Sequence, residues 1–440
     1  MDKHIYKSYG LHNYKQMPQA GKINPELVKA IDVVGNVLPF KTNNYVIDEL
    51  IDWDNIPNDP IFTLNFPRAG MLEDRHFDEM SDTLSAGSGR NDIHAAANSI
   101  RMQLNPHPAG QQHNIPEIDG MPLPGMQHKY RETALFFPGQ GQTCHAYCTF
   151  CFRWPQFVGM SELKFAMKET ELLSRYLSRH TRITDLLFTG GDPMIMKTKV
   201  FASYVEPILD NNIENIQTIR IGTKALGYWP YRFTHDNDAD DMIRLFDRIV
   251  KSGRNLSIMA HFNHPVELRT EAVKEAISRI RSTGAQIRTQ SPLLKNINDD
   301  AVLWAEMWRE QVNLNCIPYY MFVERDTGSK AFFELPLVRA WEIFRDAYQT
   351  VSGVCRTVRG PSMSATPGKV QMLGVSEVNG EKVIVLRFLQ GRNPDWVAKP
   401  FFAKYDDKAT WLDQLEPAFG EKEFFYSEEL ASIMSEADAV

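Results

Sequence analysis

Residues 134–137, 185–188, 218–221, 256–259, 286–288 and 317–322 form short runs rich in apolar side chains, each too brief for a helix. Between them apolar residues recur at helical spacing, as at Leu163, Met167, Leu173 and Leu177, and again over 272–280. Repeated strand-then-helix units predict an α/β fold with a parallel sheet and right-handed crossovers. Six units predict a partial, open (β/α)6 barrel, in which the loops after the strands carry the chemistry.

The flanks of this alternation read differently. Segment 25–31 predicts a short helix with Pro25 in its first turn, and Asn58-Asp59-Pro60-Ile61 predicts a turn. Residues 84–125, rich in Gly, Pro, Asn, His and Gln, predict irregular covering structure. Further on, 381–386 predicts a strand and 426–434 a helix. Trp396, Phe401, Phe402 and Trp411 could cover the open barrel or meet a second subunit, which leaves a homo-oligomer open. The expected organisation is an N-terminal helical and irregular cover over 1–128, the barrel over 129–372 and a small extension over 373–440.

Composition narrows the function. With 440 residues, 43% apolar and 23% charged, the chain has room for one large core and appended segments. A net charge of −7 without a basic block argues against a nucleic-acid partner, and no apolar run reaches the length of a membrane span. Five cysteines, three of them in one loop, suit a reducing cytoplasm better than a disulfide framework.

That loop, Cys144-His145-Ala146-Tyr147-Cys148-Thr149-Phe150-Cys151, follows the first barrel strand. Three thiolates at this spacing can hold three irons of a [4Fe–4S] cluster and leave the fourth open to a small chelating molecule. The C-x3-C-x2-C spacing is the pattern that radical S-adenosylmethionine (SAM) enzymes use for this purpose. A zinc site with His145 as fourth ligand, or packing alone, are the alternatives. Other strand ends add polar groups to the same rim. Thr189-Gly190-Gly191-Asp192-Pro193 has paired glycines that allow close backbone approach, His261-Phe262-Asn263-His264-Pro265 follows the fourth strand, and Thr289-Gln290-Ser291-Pro292 the fifth.

Taken in order, the cysteine loop, the Gly-Gly-Asp turn, Arg220-Ile221-Gly222, the His261 segment and Gln290-Ser291 resemble lysine 2,3-aminomutase-like enzymes, radical SAM proteins that also use pyridoxal phosphate (PLP). The resemblance extends to Pro124-Gly125, His128-Lys129-Tyr130, Pro318-Tyr319-Tyr320 and Pro367-Gly368-Lys369, and covers roughly 120–372. It implies that Cys144, Cys148 and Cys151 hold the cluster. It also implies that Gly190, Gly191 and Asp192 contact SAM, with His261 and Gln290 beside it, and that a flavodoxin- or ferredoxin-type protein supplies the electron. Lys369 matches the lysine that forms a Schiff base with PLP, Lys129 and Tyr130 match positions near its phosphate, and Arg153 matches the arginine that clamps the carboxylate of the amino acid substrate.

Departures from the pattern carry information too. Thr133 stands where the family usually has an arginine, and Ser364-Ala365-Thr366-Pro367 replaces a glycine-rich run. Arg325 and Ser362 occupy the positions of two aspartates that hold the distal ammonium of lysine, so the expected substrate is an amino acid other than lysine with a neutral or acidic side chain. No cysteine follows Cys355, so the C-terminal zinc cluster of the lysine enzymes is not expected. The leading expectation is an amino acid 2,3-aminomutase. Hydrogen abstraction without PLP, and a zinc-stabilised binding module without catalysis, are the rivals.

Overall fold

A computed structural model of the chain describes residues 2–160, 165–211 and 213–438. Leu163 lies outside them. Two short antiparallel ribbons, β1 (Ser8–Gly10) with β2 (Lys41–Asn43) and β3 (Glu117–Ile118) with β4 (Met121–Pro122), stand apart from one large sheet. That sheet runs in sequence order: β5 (Met126–Tyr130), β6 (Thr133–Phe136), β7 (Asp185–Phe188), β8 (Thr218–Thr223), β9 (Asn255–His261), β10 (Gln286–Leu293), β11 (Ile317–Val323), β12 (Arg359–Ser364), β13 (Gly368–Val378), β14 (Glu381–Gly391) and β15 (Pro400–Lys404). Strands β6 to β12 are parallel, whereas β5 and β13 to β15 pair antiparallel.

Each of β6 to β11 is followed by a helix: Thr170–Arg179, Thr198–Asp210, Ala239–Lys251, Glu271–Ser282, Ala301–Asn313 and Leu337–Gln349. The edge strands β5 and β15 do not pair with each other, so the fold is the open (β/α)6 barrel expected from the sequence. Packing explains why these runs choose their states. In β9 the five residues from Leu256 to Ala260 are all buried, as befits a strand covered on both faces. In Ala239–Lys251 the buried positions Ala239, Met242, Leu245, Phe246 and Ile249 form one stripe, with acidic and basic residues on the other side. Thr270 and Asp300 cap the next two long helices by accepting from the amides of Val273 and Leu303.

Several expectations are corrected. The helix expected across 163–177 begins only at Thr170. Met167 is extended and bridges Pro138, its amide and carbonyl taken by Phe137 and Gly139. The region 84–125 contains a full helix, Arg90–Gln103, that buries Ala97, Ile100 and the stem of Arg101. A single 3-10 turn at Gly353–Cys355 precedes β12. Lys369 is the second residue of β13, and that strand passes through position 372, so the C-terminal residues continue the barrel sheet. Among the described residues no helix is long and apolar enough to cross a membrane.

Candidate functional site

A cavity of about 350 Å3 opens at the C-terminal ends of the parallel strands, where loops following each strand converge. Its wall includes Cys144, Cys148 and Cys151 from the loop after β6, Gly190, Gly191 and Asp192 after β7, His261 at the end of β9 and Gln290 in β10. Arg153, Lys129, Tyr130, Arg325 and Lys369 complete it. Ser362 is not part of this wall: it is fully buried with its hydroxyl donating to the Met321 carbonyl at 3.4 Å, and Ser364 faces the cavity instead.

The N-terminal cover holds the cysteine loop in place. Lys41 Nζ donates to the Cys144 carbonyl at 2.6 Å, and the His145 carbonyl accepts from Tyr6 Oη at 2.6 Å and Asn43 Nδ2 at 3.2 Å. The amides of Tyr147 and Thr149 donate to the carbonyls of Lys41 and Leu64. On the other side stand the glycines. A Cβ on Gly191 would lie 2.5 Å from the backbone nitrogen and oxygen of Thr143, and one on Gly190, whose φ is +133°, would lie 2.3 Å from Gln142 Nε2. These glycines therefore admit the cysteine loop itself, a closer requirement than the ligand approach read from the sequence.

Asp192 extends the same junction. Its carboxylate accepts from Thr223 Oγ1 at 2.7 Å and from the amides of Met194 and Lys224 at 2.9 Å, while its own amide donates to Gly141 and Thr143. Burial raises its pKa to about 6 against these hydrogen bonds. It ties β7, β8 and the cysteine loop together.

Burial governs the thiols. It pushes Cys148 up to about 11, Cys151 to about 12 and Cys144 well above the usual thiol value, and the charges of neighbouring cysteines add to the shift at Cys144 and Cys151. Such thiols become thiolates when a bound cation compensates them. Among the described residues no set of three or more His, Cys, Asp or Glu side chains is grouped around one ion position. A cubane cluster asks for a different arrangement, one thiolate on each of three irons.

The opposite wall is cationic. Lys129 is held well below its ordinary pKa by burial and by Arg392, Arg325 and Lys369, and its ammonium donates to the Ala365 carbonyl. Burial, then Arg220 and Arg359, lowers Lys369 to about 7, and its Nζ sits 4.3 Å from the centre of the Tyr320 ring. Arg153 is lowered to about 9 by burial and by Arg325, and packs 4.3 Å from the Phe137 ring centre. Arg325 lies 4.7 Å over Phe152, and its buried Nε has no hydrogen-bond acceptor. Asp326, the next residue, lines an adjoining cleft, accepts from Asn105 and lies 3.8 Å from Arg325 Nε.

Sequence reasoning missed three wall residues and a partner. Lys224 Nζ forms a buried ion pair with Glu267 at 2.5 Å and also donates to Asn263 Oδ1 at 2.8 Å. Tyr228 lies 4.3 Å beneath that ammonium with its Oη 3.7 Å from Cys148 Sγ. Glu324 presents a buried Oε1 without a partner, its carboxyl pushed well up by burial. Lys224 and Glu324 directly follow the expected strands 218–221 and 317–322 within a few residues, so extending the strand-end rule to every polar residue there would have found them.

A putative L-lysine 2,3-aminomutase of Aquifex aeolicus is 29% identical over 392 residues, 89% of this chain and 91% of that protein. The chain is thus similar to lysine 2,3-aminomutases over most of its length. Other relatives are more distant. The L-lysine 2,3-aminomutase of Methanococcus maripaludis is 25% identical over 71% of this chain and 60% of its own, and that of Haemophilus influenzae 25% over 58% and 71%. No family model matches the chain. Among solved structures, Streptococcus suis SuiB bound to S-adenosylmethionine gives a TM-score of 0.35 at 10% identity, covering 62% of this chain and 56% of that one.

Proposed function

We propose that the protein is a radical SAM aminomutase that moves the amino group of an amino acid from Cα to Cβ with the help of PLP, and that its substrate is not lysine. The observation that carries this reading is the convergence of Cys144, Cys148 and Cys151 with Lys369 and Arg153 on one cavity. The donor sets suit the groups. Three half-buried thiols under mutual electrostatic influence match an iron–sulfur cluster, and Gly190, Gly191, His261 and Gln290 line the space next to them where SAM would lie. The basic side chains of Lys129, Arg325 and Arg392 gathered around Tyr130 match a phosphate, and Lys369 offers an amine in the same space.

When bound, the cluster with SAM supplies a carbon-centred radical that removes a hydrogen atom, and PLP supplies the conjugated system through which nitrogen migrates. The chain's own groups do the rest. Lys369, brought down to about 7, offers a neutral amine as a nucleophile in a large share of molecules near neutral pH; Arg153 presents a planar fork to a carboxylate; Tyr147, Phe150 and Phe152 in the wall exclude water. Of the cations that face the cavity, Arg220 pairs with Asp185 and Lys224 with Glu267, while Arg325 has only Asp326 at 3.8 Å. The guanidiniums of Arg153 and Arg325 in the wall support a substrate with a neutral or acidic side chain, because a second ammonium beside Arg325 would be repelled.

The test is turnover of lysine, glutamate and neutral amino acids by the anaerobically reconstituted protein, with β-amino products read by mass spectrometry. Selective conversion of lysine would reject the substrate assignment. Thr133 in the wall, where the family usually has an arginine, favours a second reading in which hydrogen abstraction proceeds without PLP. A borohydride-trapped PLP adduct that disappears in Lys369→Ala decides for the first.

A further inference from the structure

The loop after β8 places Tyr228 against the thiols in a way that packing alone does not require. Its side chain is 1% exposed and its Oη lies 3.7 Å from Cys148 Sγ, within reach of a hydrogen bond to sulfur. Which way that bond points is set from the far side. Asn65, 1% exposed at the end of the helix Pro60–Asn65, puts its Nδ2 3.1 Å from the Ile61 carbonyl and 3.3 Å from Tyr228 Oη. Turning the amide over would set two acceptor oxygens against each other at Ile61, so the NH2 group must face both partners. Tyr228 Oη therefore accepts from Asn65, and its proton is left for the sulfur. With Cys148 as a thiolate the hydroxyl is a donor to a charged acceptor, the stronger kind of hydrogen bond.

Two further contacts fix the ring. The Tyr228 carbonyl accepts from Asn43 Nδ2 at 2.9 Å, and the Lys224 ammonium sits 4.3 Å from the ring centre, anchored by Glu267. A cation over the face withdraws electron density from the phenol and adds positive potential beside Cys148. Tyr228 and Lys224 line the cavity, whereas their supports Asn65, Asn43 and Glu267 are fully buried behind its wall.

We infer that Tyr228, oriented by Asn65, is a positioning residue that donates a hydrogen bond to the Cys148 ligand sulfur and raises the reduction potential of the cluster. The inference rests on the radical SAM reading above. A reduced cluster carries one more negative charge than the oxidised one, so a donor to its ligand sulfur stabilises the reduced form more. The same bond eases electron entry and lowers the driving force with which the reduced centre passes its electron on.

The experiment is a potentiometric titration of the reconstituted full-length protein, followed by electron paramagnetic resonance, with iron and sulfide assayed on the same samples. Tyr228→Phe keeps the ring and removes the donor. Its cluster is expected to be reduced about tenfold less at a given potential, a shift of the midpoint of about 59 mV to more negative values for one electron. Asn65→Ala releases the phenol without removing it and is expected to shift the midpoint in the same direction by less. An unchanged midpoint in Tyr228→Phe with full iron content overturns the inference. If that variant fails to hold iron, an unchanged midpoint in Asn65→Ala overturns it. If the unsubstituted protein itself takes up no iron and sulfide, the radical SAM reading fails first and this inference with it.

Discussion

Lys369 shows how position sets reactivity. An exposed lysine is charged at neutral pH, but burial, reinforced by Arg220 and Arg359, brings this one to about 7. Because the shift is downward, the neutral amine gains population as pH rises through 7 and is nearly complete by 8. Adduct formation with PLP, trapped by borohydride at a series of pH values, is expected to rise with a midpoint near 7. A midpoint near that of free lysine, about 10.4, would show that the side chain is solvated and in a different place. The cysteine loop was legible in the chain, because three cysteines so closely spaced have few other uses, whereas Lys369 was reached only through the family resemblance. Tyr228 and Glu267 were not legible, because a tyrosine or a glutamate some way past a strand is common and only the fold brings them to sulfur or to Lys224.

At the scale of elements, the cover over the barrel is a working part of the cysteine loop. Asn43 is fully buried and bridges β2 to the His145 and Tyr228 carbonyls, while its Oδ1 accepts from the Val46 amide. Asn43→Leu strands these groups without water, at roughly 1–3 kcal/mol for each buried partner left unsatisfied. The expected result is a lower denaturation midpoint together with reduced iron retention after gel filtration. A variant that loses stability but keeps its iron would limit the cover to a packing role. The barrel strands were readable because apolar runs of three to six residues between helical stretches have few other structures open to them. The helix Arg90–Gln103 was not, since its composition is polar and its buried stripe is only Ala97, Ile100 and Arg101.

Across the whole molecule, the two reactive centres come from opposite sides of one sheet. The thiols follow β6, the first parallel strand, and Lys369 stands on β13, beyond the last. That continuity was hidden in the sequence, because pairing of β13 with β12 and β14 depends on register and on no local signal. It has a measurable outcome. A chain ending at residue 372 cuts β13 in the middle, removes β14 and β15, and uncovers Val370 and Met372, which are buried in the intact protein. That fragment is expected to aggregate or to bind no PLP, whereas one that gives the Lys369 adduct at full yield would mean the extension is dispensable.

The register of the parallel strands slips between Thr289 and Gln290 where β10 meets β11, and again between Tyr320 and Phe322 where β11 meets β12. The span from sulfur to amine is thus measured out by ladder rungs rather than by flexible connectors. Lengthening an outer loop leaves that calliper untouched, while losing a single rung would shift Lys369 relative to the thiols.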